Sequence, residues 1–372
     1  MLSFADIERA REITREHVRV TPVWASLTLE RLAGVPVSLK CEQMQLTGSF
    51  KIRGAVNFMA LLSPAERGRG VVAASAGNHA QGVALAGRNT GVDVTVVMPS
   101  NAPLAKIAGA RGYGARVVLH GHSVEEARDE ALRIGEAEGR IYVPPFDDDR
   151  VIAGQGTVGL ELLEQAPGAE EFLVPVGGGG LIAGVALALK ARRPGVRVVG
   201  LQTEAMDGVR RSLLAGGPVA TPHADTIADG VAVAGPSART LEVIQRYVDE
   251  VVCVTDEAIA RAIVLLIEKS KMVVEGAGAL GVAALQSGAY RPRGPAVVVL
   301  SGGNIDINLL GTIVRHGLVE AGRYRYLELR VADTPGHLAA IAEAVAEAGA
   351  NIIEVGHKRE APGLSVGYAL LE

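Results

Sequence analysis

Cysteine is almost missing from these 372 residues. Cys41 and Cys253 stand far apart, so neither a disulfide framework nor a CxxC pair is available. No sign of charge dominates: 37 Lys and Arg against 41 Asp and Glu leave a net charge of −4. That balance excludes the electrostatic footprint of a nucleic-acid or anionic-membrane binder. Long apolar runs are lacking too; Ile263–Ile267 and Ala296–Leu300 fall far short of a membrane span. The opening stretch MLSFADIERAREITREHV carries charge throughout and has no apolar h-region, which argues against a signal peptide. Aromatics are scarce at 3%, whereas glycine is abundant at 46 residues and apolar residues reach 48%. Such an Ala/Val/Gly-rich chain predicts a sizeable core, close helix–sheet packing and many tight turns. The expectation is a soluble, cytoplasmic, globular enzyme or binding protein of two or three domains.

Ser3 and Asp6 have the spacing of a capping box that opens a helix to about His17. Thereafter strand-like runs alternate with helical stretches. Val37–Cys41, Gly70–Ala74, Val92–Met98, Ala115–Leu119, Phe172–Val176, Val196–Gln202, Val251–Val254 and Ala296–Leu300 read as strands. Ser123–Glu138, Leu181–Arg192, Asp256–Lys269 and Ile307–Leu318 read as helices. Several strands are unbroken Val/Ile/Leu runs, as expected where helices cover both faces of a mostly parallel, open α/β sheet. Ligands of such sheets bind in loops at the carboxyl ends of strands. Beyond Gly322 a separate β-α-β-β module is predicted: strand Tyr326–Val331, helix His337–Ala348, and a pair Asn351–His357 and Leu364–Leu371 turning at Pro362-Gly363.

Four loops at strand ends carry candidate chemistry. Gly177–Gly180 follow a strand and precede the helix near Leu181, so backbone N–H groups and a helix N-terminus can converge on a phosphate. The alternative is a flexible turn, for which four glycines would be a costly choice. Lys51 ends Thr47-Gly48-Ser49-Phe50-Lys51 at a helix start among small and apolar neighbours. Alone it reads as a surface charge; beside a phosphate cradle it becomes half of a pyridoxal phosphate site. Ser75-Ala76-Gly77-Asn78-His79 opens another helix and suits a substrate carboxylate, a hydrolase elbow at Ser75, or a plain N-cap. The hydrolase reading leaves Lys51 and the glycine loop unused and offers only His316 as a late histidine. Ser301-Gly302-Gly303-Asn304 is by itself a turn. His120-Gly121-His122 lacks a third metal ligand, and Asp147-Asp148-Asp149 reads as a solvated cap of the next helix.

Taken together these loops resemble the threonine dehydratase/serine racemase branch of fold-type II pyridoxal phosphate enzymes. Thr47–Ala55 is similar to the cofactor-attachment motif, with Lys51 as the attaching lysine and Phe50 beside it. Ser75–Gly82 is similar to the substrate-carboxylate loop, so Ser75, Ala76, Gly77 and His79 would bind substrate and Asn78 the cofactor's phenolic oxygen. Gly177, Gly178, Gly179, Gly180 and Leu181 match the phosphate loop, and Ser301 the residue facing the pyridine nitrogen. Val151–Thr157, Thr226–Gly230 and Glu275–Ala279 fit as well.

The resemblance implies a two-lobed, tryptophan synthase β-like catalytic body over residues 1–320, with a smaller lobe at about 49–145. The tail 326–372 resembles part of an ACT-type amino-acid-sensing domain that lacks its second helix and fourth strand. The implied activity is pyridoxal phosphate-dependent deamination of L-threonine to 2-oxobutanoate and ammonia, and of L-serine to pyruvate, in isoleucine synthesis or threonine breakdown. A small amino acid would be the partner and a homo-oligomer, dimer or tetramer, the assembly, without nucleic acid or membrane. No metal site is expected, because Gln202 and Gly208 stand where some members carry carboxylates. Serine racemase or hydroxyaspartate dehydratase are the alternatives on the same body. A serine hydrolase at Ser75 is the remote one, and a non-catalytic amino-acid sensor would need the tail alone.

Overall fold

The computed structural model describes residues 2–222 and 224–372. The chain forms two compact units, Met1–Ile313 and Val314–Glu372. The first holds two sheets. The larger has the strand order Val23–Ala25, Val37–Cys41, Ala296–Leu300, Glu171–Pro175, Arg197–Thr203, Glu250–Val254, parallel except for its first strand. The smaller is parallel throughout, in the order Arg116–Leu119, Val94–Met98, Val71–Ala74, Ile141–Tyr142.

Every residue of Val71–Ala74, Val94–Met98, Glu171–Pro175 and Ala296–Leu300 is buried. Helices therefore cover both faces, the condition under which unbroken apolar strands are stable. The abundant glycine serves where helices touch. A Cβ on Gly159 would lie 2.8 Å from that of Ala188, and one on Gly184 would meet the Ile152 carbonyl. Helices Asp149–Gln165 and Gly180–Arg192 can thus approach backbone to backbone.

In both sheets the strand order reverses at one point. In the large sheet Ala296–Leu300, its last strand in sequence, returns beside Glu171–Pro175, and in the small one Ile141–Tyr142 returns beside Val71–Ala74. Crevices at the carboxyl ends of strands beside such points are where open α/β sheets bind ligands.

Most predicted strands appear within two residues of their expected ends, and Ser3 and Asp6 form the capping box that opens helix Phe4–Thr14. Five differences stand out. Val23–Ala25 and Ile141–Tyr142 are edge strands too short to show a period. The helix expected over Asp256–Lys269 is α-helical only to Leu265; Leu266–Ser270 then forms a π turn, ended by Lys271 in the left-handed region (φ 58°).

In the second unit the strand expected at Asn351–His357 shrinks to His357–Lys358. The antiparallel register sets Lys358 beside Leu370 and His357 beside Leu371. The strand expected at Tyr326–Val331 spans Leu329–Ala332 instead, paired with Tyr368–Leu371. Helix His337–Glu347 lies where it was predicted, without a buried residue. Among the described residues no helix is long and apolar enough to cross a membrane.

Candidate active site

Lys51 is the first residue of helix Lys51–Ala60, and no side chain caps that helix. The lysine is half-buried, and its Nζ donates to the Pro145 carbonyl at 3.0 Å, 5.2 Å from the Phe50 ring centre. Burial lowers its pKa from 10.5 to about 8, against the opposing pull of Glu275. A substantial fraction of the amine is therefore neutral, and nucleophilic, a unit or so above neutrality.

Behind Lys51 the helix is anchored by charge. Arg53 is fully buried and donates to both Glu42 oxygens at 2.8 Å and to Glu161 at 2.7 Å. Burial works against its charge, but the two carboxylates prevail and raise its pKa. Buried Lys40 donates to Glu161 as well. Two cations thus meet two carboxylates and ordinary carbonyls, and a change to either Arg53 or Glu42 alone would leave a buried charge uncompensated.

The loop before Lys51 is stitched to the Ser301 loop. Phe50 N–H donates to the Ser301 carbonyl at 3.1 Å, Ser49 bridges to Gly302, and Gly303 N–H donates to the Gly48 carbonyl at 2.9 Å. Ser301 itself is buried. Asn304 Nδ2 donates to the Thr47 carbonyl and to Asn78 Oδ1, both at 2.7 Å, while Asn78 Nδ2 donates to Glu275 Oε1 at 2.7 Å. Burial raises the Glu275 carboxyl to about 7, helped by Asp229 and opposed by Asn78, Lys106 and the Asn304 backbone. Lys51, Asn78 and Ser301 are thereby brought together, with Glu275 added to them.

Helix Asn78–Thr90 begins behind Gly77 without a side-chain cap. Ser75 does not cap it: its Oγ accepts from the Gly77 N–H at 3.1 Å. His79 faces away, donating from Nε2 to the Val143 carbonyl at 2.9 Å. Burial, then Lys51, pushes that imidazole down to about 3, so it is neutral and leaves only its backbone to the loop. A Ser75–histidine hydrogen bond of the hydrolase kind is thus not formed with its nearest histidine in sequence.

The glycine loop reaches the same place through segment 143–146. A Cβ on Gly178 would collide with the Phe146 ring, one on Gly180 would lie 2.8 Å from Phe146 Cβ, and one on Gly177 3.0 Å from Val231 Cα. Gly179 has φ 95° and is the N-cap of helix Gly180–Arg192, which therefore starts with no side-chain acceptor for its first N–H groups. Thr240 Oγ1 fixes the loop from behind by donating to the Gly178 carbonyl at 2.8 Å. Leu181 is buried within that helix start.

These features fit pyridoxal phosphate. An uncapped helix N-terminus behind a glycine loop suits a phosphate. Thr47 Oγ1 and Ser49 Oγ are buried with no hydrogen-bond partner among the described residues, four and two residues before the lysine. By contrast, no group of three or more His, Cys, Asp or Glu that could hold a metal occurs among the described residues. Gln202 donates to the Met206 carbonyl and accepts from Arg210 N–H, and a Cβ on Gly208 would lie 2.5 Å from the Ala234 carbonyl.

Sequence reasoning assigned no role to Phe146, Asn304 or Glu275. Glu275 had a signal, since it heads the Glu275–Ala279 motif, but nothing along the chain links it to Asn78 across 197 positions.

Residues 14–302 match the family described as pyridoxal-phosphate dependent enzyme. The chain is 48% identical over 372 residues to L-threonine ammonia-lyase of Thermotoga maritima, covering 100% of this chain and 93% of that one. Among solved structures it is similar to the T.th. threonine deaminase, with TM-score 0.77 and 42% identity, covering 82% of this chain and 99% of the other. It is also similar to maize serine racemase, with TM-score 0.80 and 34% identity over 87% and 99%.

Proposed function

We infer from its membership of the pyridoxal-phosphate dependent enzymes, the family to which this chain belongs, that the protein converts L-threonine to 2-oxobutanoate and ammonia. L-Serine would give pyruvate by the same route. The carrying observation is a part-neutral lysine, Lys51, set between an uncapped glycine loop and an uncapped Ser75–His79 loop.

The cofactor, when bound, supplies an electron sink that acidifies the substrate's α-C–H bond. Lys51 would hold it, with Gly177, Gly178, Gly179, Gly180 and Leu181 around its phosphate, Asn78 and Ser301 at its ring, and Phe50 alongside. The Lys51 amine, desolvated and part-neutral, is the base that takes the α-proton. The N–H groups at the start of helix Asn78–Thr90, behind Ser75, Ala76 and Gly77, orient the substrate carboxylate. Phe146, lying on the glycine loop, helps to exclude water. Loss of the β-hydroxyl as water, then uptake of one water with release of ammonia, balances the overall conversion.

The racemase reading is supported by the likeness to maize serine racemase, but Ala76 offers no second acid or base beside the substrate loop. We read residues 1–320 as the catalytic body, with a smaller lobe at about 49–145, and 326–372 as a partial ACT-like domain. The separate four-stranded sheet and the second compact unit support that division. Exposed Val20, Trp24 and Leu27 around the edge strand of the large sheet support a homo-oligomer. Cys41 and Cys253, both free thiols, suit a reducing cytoplasm.

Purified protein incubated with L-threonine and L-serine, with keto acid and ammonia measured together, tests the activity. Equal amounts of both products from threonine are expected; neither product from either amino acid would overturn the reading.

A further inference from the structure

Glu275 stands outside the roles assigned so far, yet it closes a directional chain of hydrogen bonds. The chain starts at the Thr47 carbonyl, which can only accept. Asn304 gives it one N–H and gives the other to Asn78 Oδ1. That fixes Asn78 with its oxygen toward Asn304 and its nitrogen toward Glu275, where one N–H is taken at 2.7 Å. A flipped Asn78 would set NH2 against NH2 at one end and oxygen against carboxylate at the other. A single donor of Asn78 is then left over for a ligand.

Glu275 is held as firmly as it holds. It is buried (3% exposed), its own N–H donates to the Gly302 carbonyl at 3.1 Å, and a Cβ on Gly302 would strike its carboxylate. It is the N-cap residue of helix Gly276–Ser287, and its side chain makes no cap there. The carboxylate is committed to Asn78 instead. The charged groups facing it are Asp229, Lys106 and Lys51, and Lys106 is itself paired with Asp229 at 2.9 Å.

We propose that Glu275 is a positioning residue of the reaction, acting through Asn78 to aim that side chain's remaining N–H at the bound cofactor. This rests on the functional reading above. Above pH 7 the Glu275 carboxyl is mostly ionised, and a hydrogen bond to a charged acceptor is among the stronger ones, so its loss lets Asn78 rotate and weakens the donor it presents.

The test uses holoenzyme with Glu275→Gln, Asn78→Ala and the double variant, recording the cofactor's visible absorption maximum together with kcat and KM for L-threonine. Gln at 275 retains the shape but removes the charge. Expected are a displaced absorption maximum and a kcat lowered roughly 10- to 100-fold with KM within about threefold, and a double variant no worse than Asn78→Ala alone. Should Glu275→Gln fail to fold, Glu275→Asp, which keeps the charge but draws it back by one carbon, is expected to shift the band and lower kcat to a smaller degree. An unmoved band with unchanged kcat, or losses that multiply in the double variant, overturns the proposal. Absence of any cofactor band or threonine turnover in the unmodified protein would instead defeat the functional reading itself.

Discussion

Two loops of this molecule share one design, a parallel strand running through small residues into an uncapped helix, and differ in packing. Around Gly177–Gly180 every added Cβ would meet protein atoms at 3.0 Å or less, and Gly179 needs a positive φ. At Gly77 an added Cβ would meet nothing closer than Lys106 Nζ at 3.9 Å. The first loop is a fitted cradle with its backbone already fixed by Thr240 and Phe146. The second has open space in front of it. A group that stays bound through many turnovers calls for the first arrangement, and a molecule that enters and leaves calls for the second. Seven other helix starts are closed by a side chain, that of Ser3, Ser26, Ser63, Ser123, Asp148, Ser237 or Thr255, while Lys51–Ala60, Leu104–Gly112, Gly208–Ala215, Gly276–Ser287 and His337–Glu347 also begin without one.

Lys51 stands where both loops are needed, so its loss should have the largest effect. Lys51→Ala is expected to lower turnover of L-threonine by at least about 10³-fold and to remove absorbance bleached by borohydride. Retention of that absorbance with normal turnover would assign the chemistry to another amine.

The contrast between the loops predicts opposite consequences for one kind of change. Gly178→Val forces a branched side chain into the Phe146 ring and should lower cofactor affinity about 100-fold or more, read by titrating apoprotein with pyridoxal phosphate. Gly77→Ala should leave that affinity within about threefold and instead raise KM for threonine. If both changes hit cofactor affinity equally, the division of labour between the loops fails.

A smaller effect concerns how the open loop is tied down. The His79 imidazole is neutral when folded, with its pKa at about 3 against 6.5 in the unfolded chain. A depressed folded pKa contributes stability that is present above 6.5 and is lost as pH falls toward 3. By pH 5 the loss amounts to about 2 kcal/mol. His79→Gln should be less stable at pH 7.5 but flatter in its pH dependence, checked by Tm between pH 7.5 and 5. Parallel pH profiles would show that this histidine does not titrate as burial requires.

Local patterns carried most of the fold. Ala296–Leu300 is legible as a buried parallel strand because it is an unbroken apolar run, and the loops at Ser75, Gly177 and Ser301 are legible because a strand ends at or one residue before them. Val23–Ala25 and Ile141–Tyr142 are not, since two or three residues at a sheet edge show no period. The π turn at Leu266–Ser270 is hidden for another reason: the helical pattern continues while the hydrogen bonding changes. Asn78 and Glu275 meet only through tertiary structure. No local rule links an asparagine at one helix start to a glutamate at another, and the same holds for Arg53 with Glu42 and Glu161.

The finest test of the open loop concerns what it lacks. Reversing the configuration of an amino acid requires an acid or base on each side of the α-carbon, one to take the proton and another to return it. Under the proposed function Lys51 serves one side. Immediately after Ser75, beside the substrate loop, a second group would have to stand; here that position is Ala76. Its methyl group can neither give nor take a proton, so a deprotonated substrate has elimination as its productive exit. The unmodified protein should therefore form pyruvate from L-serine with negligible D-serine. Ala76 is only half-buried, so Ala76→Ser adds one oxygen at little cost to folding. It should yield a measurable trace of D-serine while most flux still ends as pyruvate. Chiral chromatography of both proteins decides the matter: D-serine forming as fast as pyruvate from the unmodified enzyme would mean that a proton reaches the second face from a group other than residue 76.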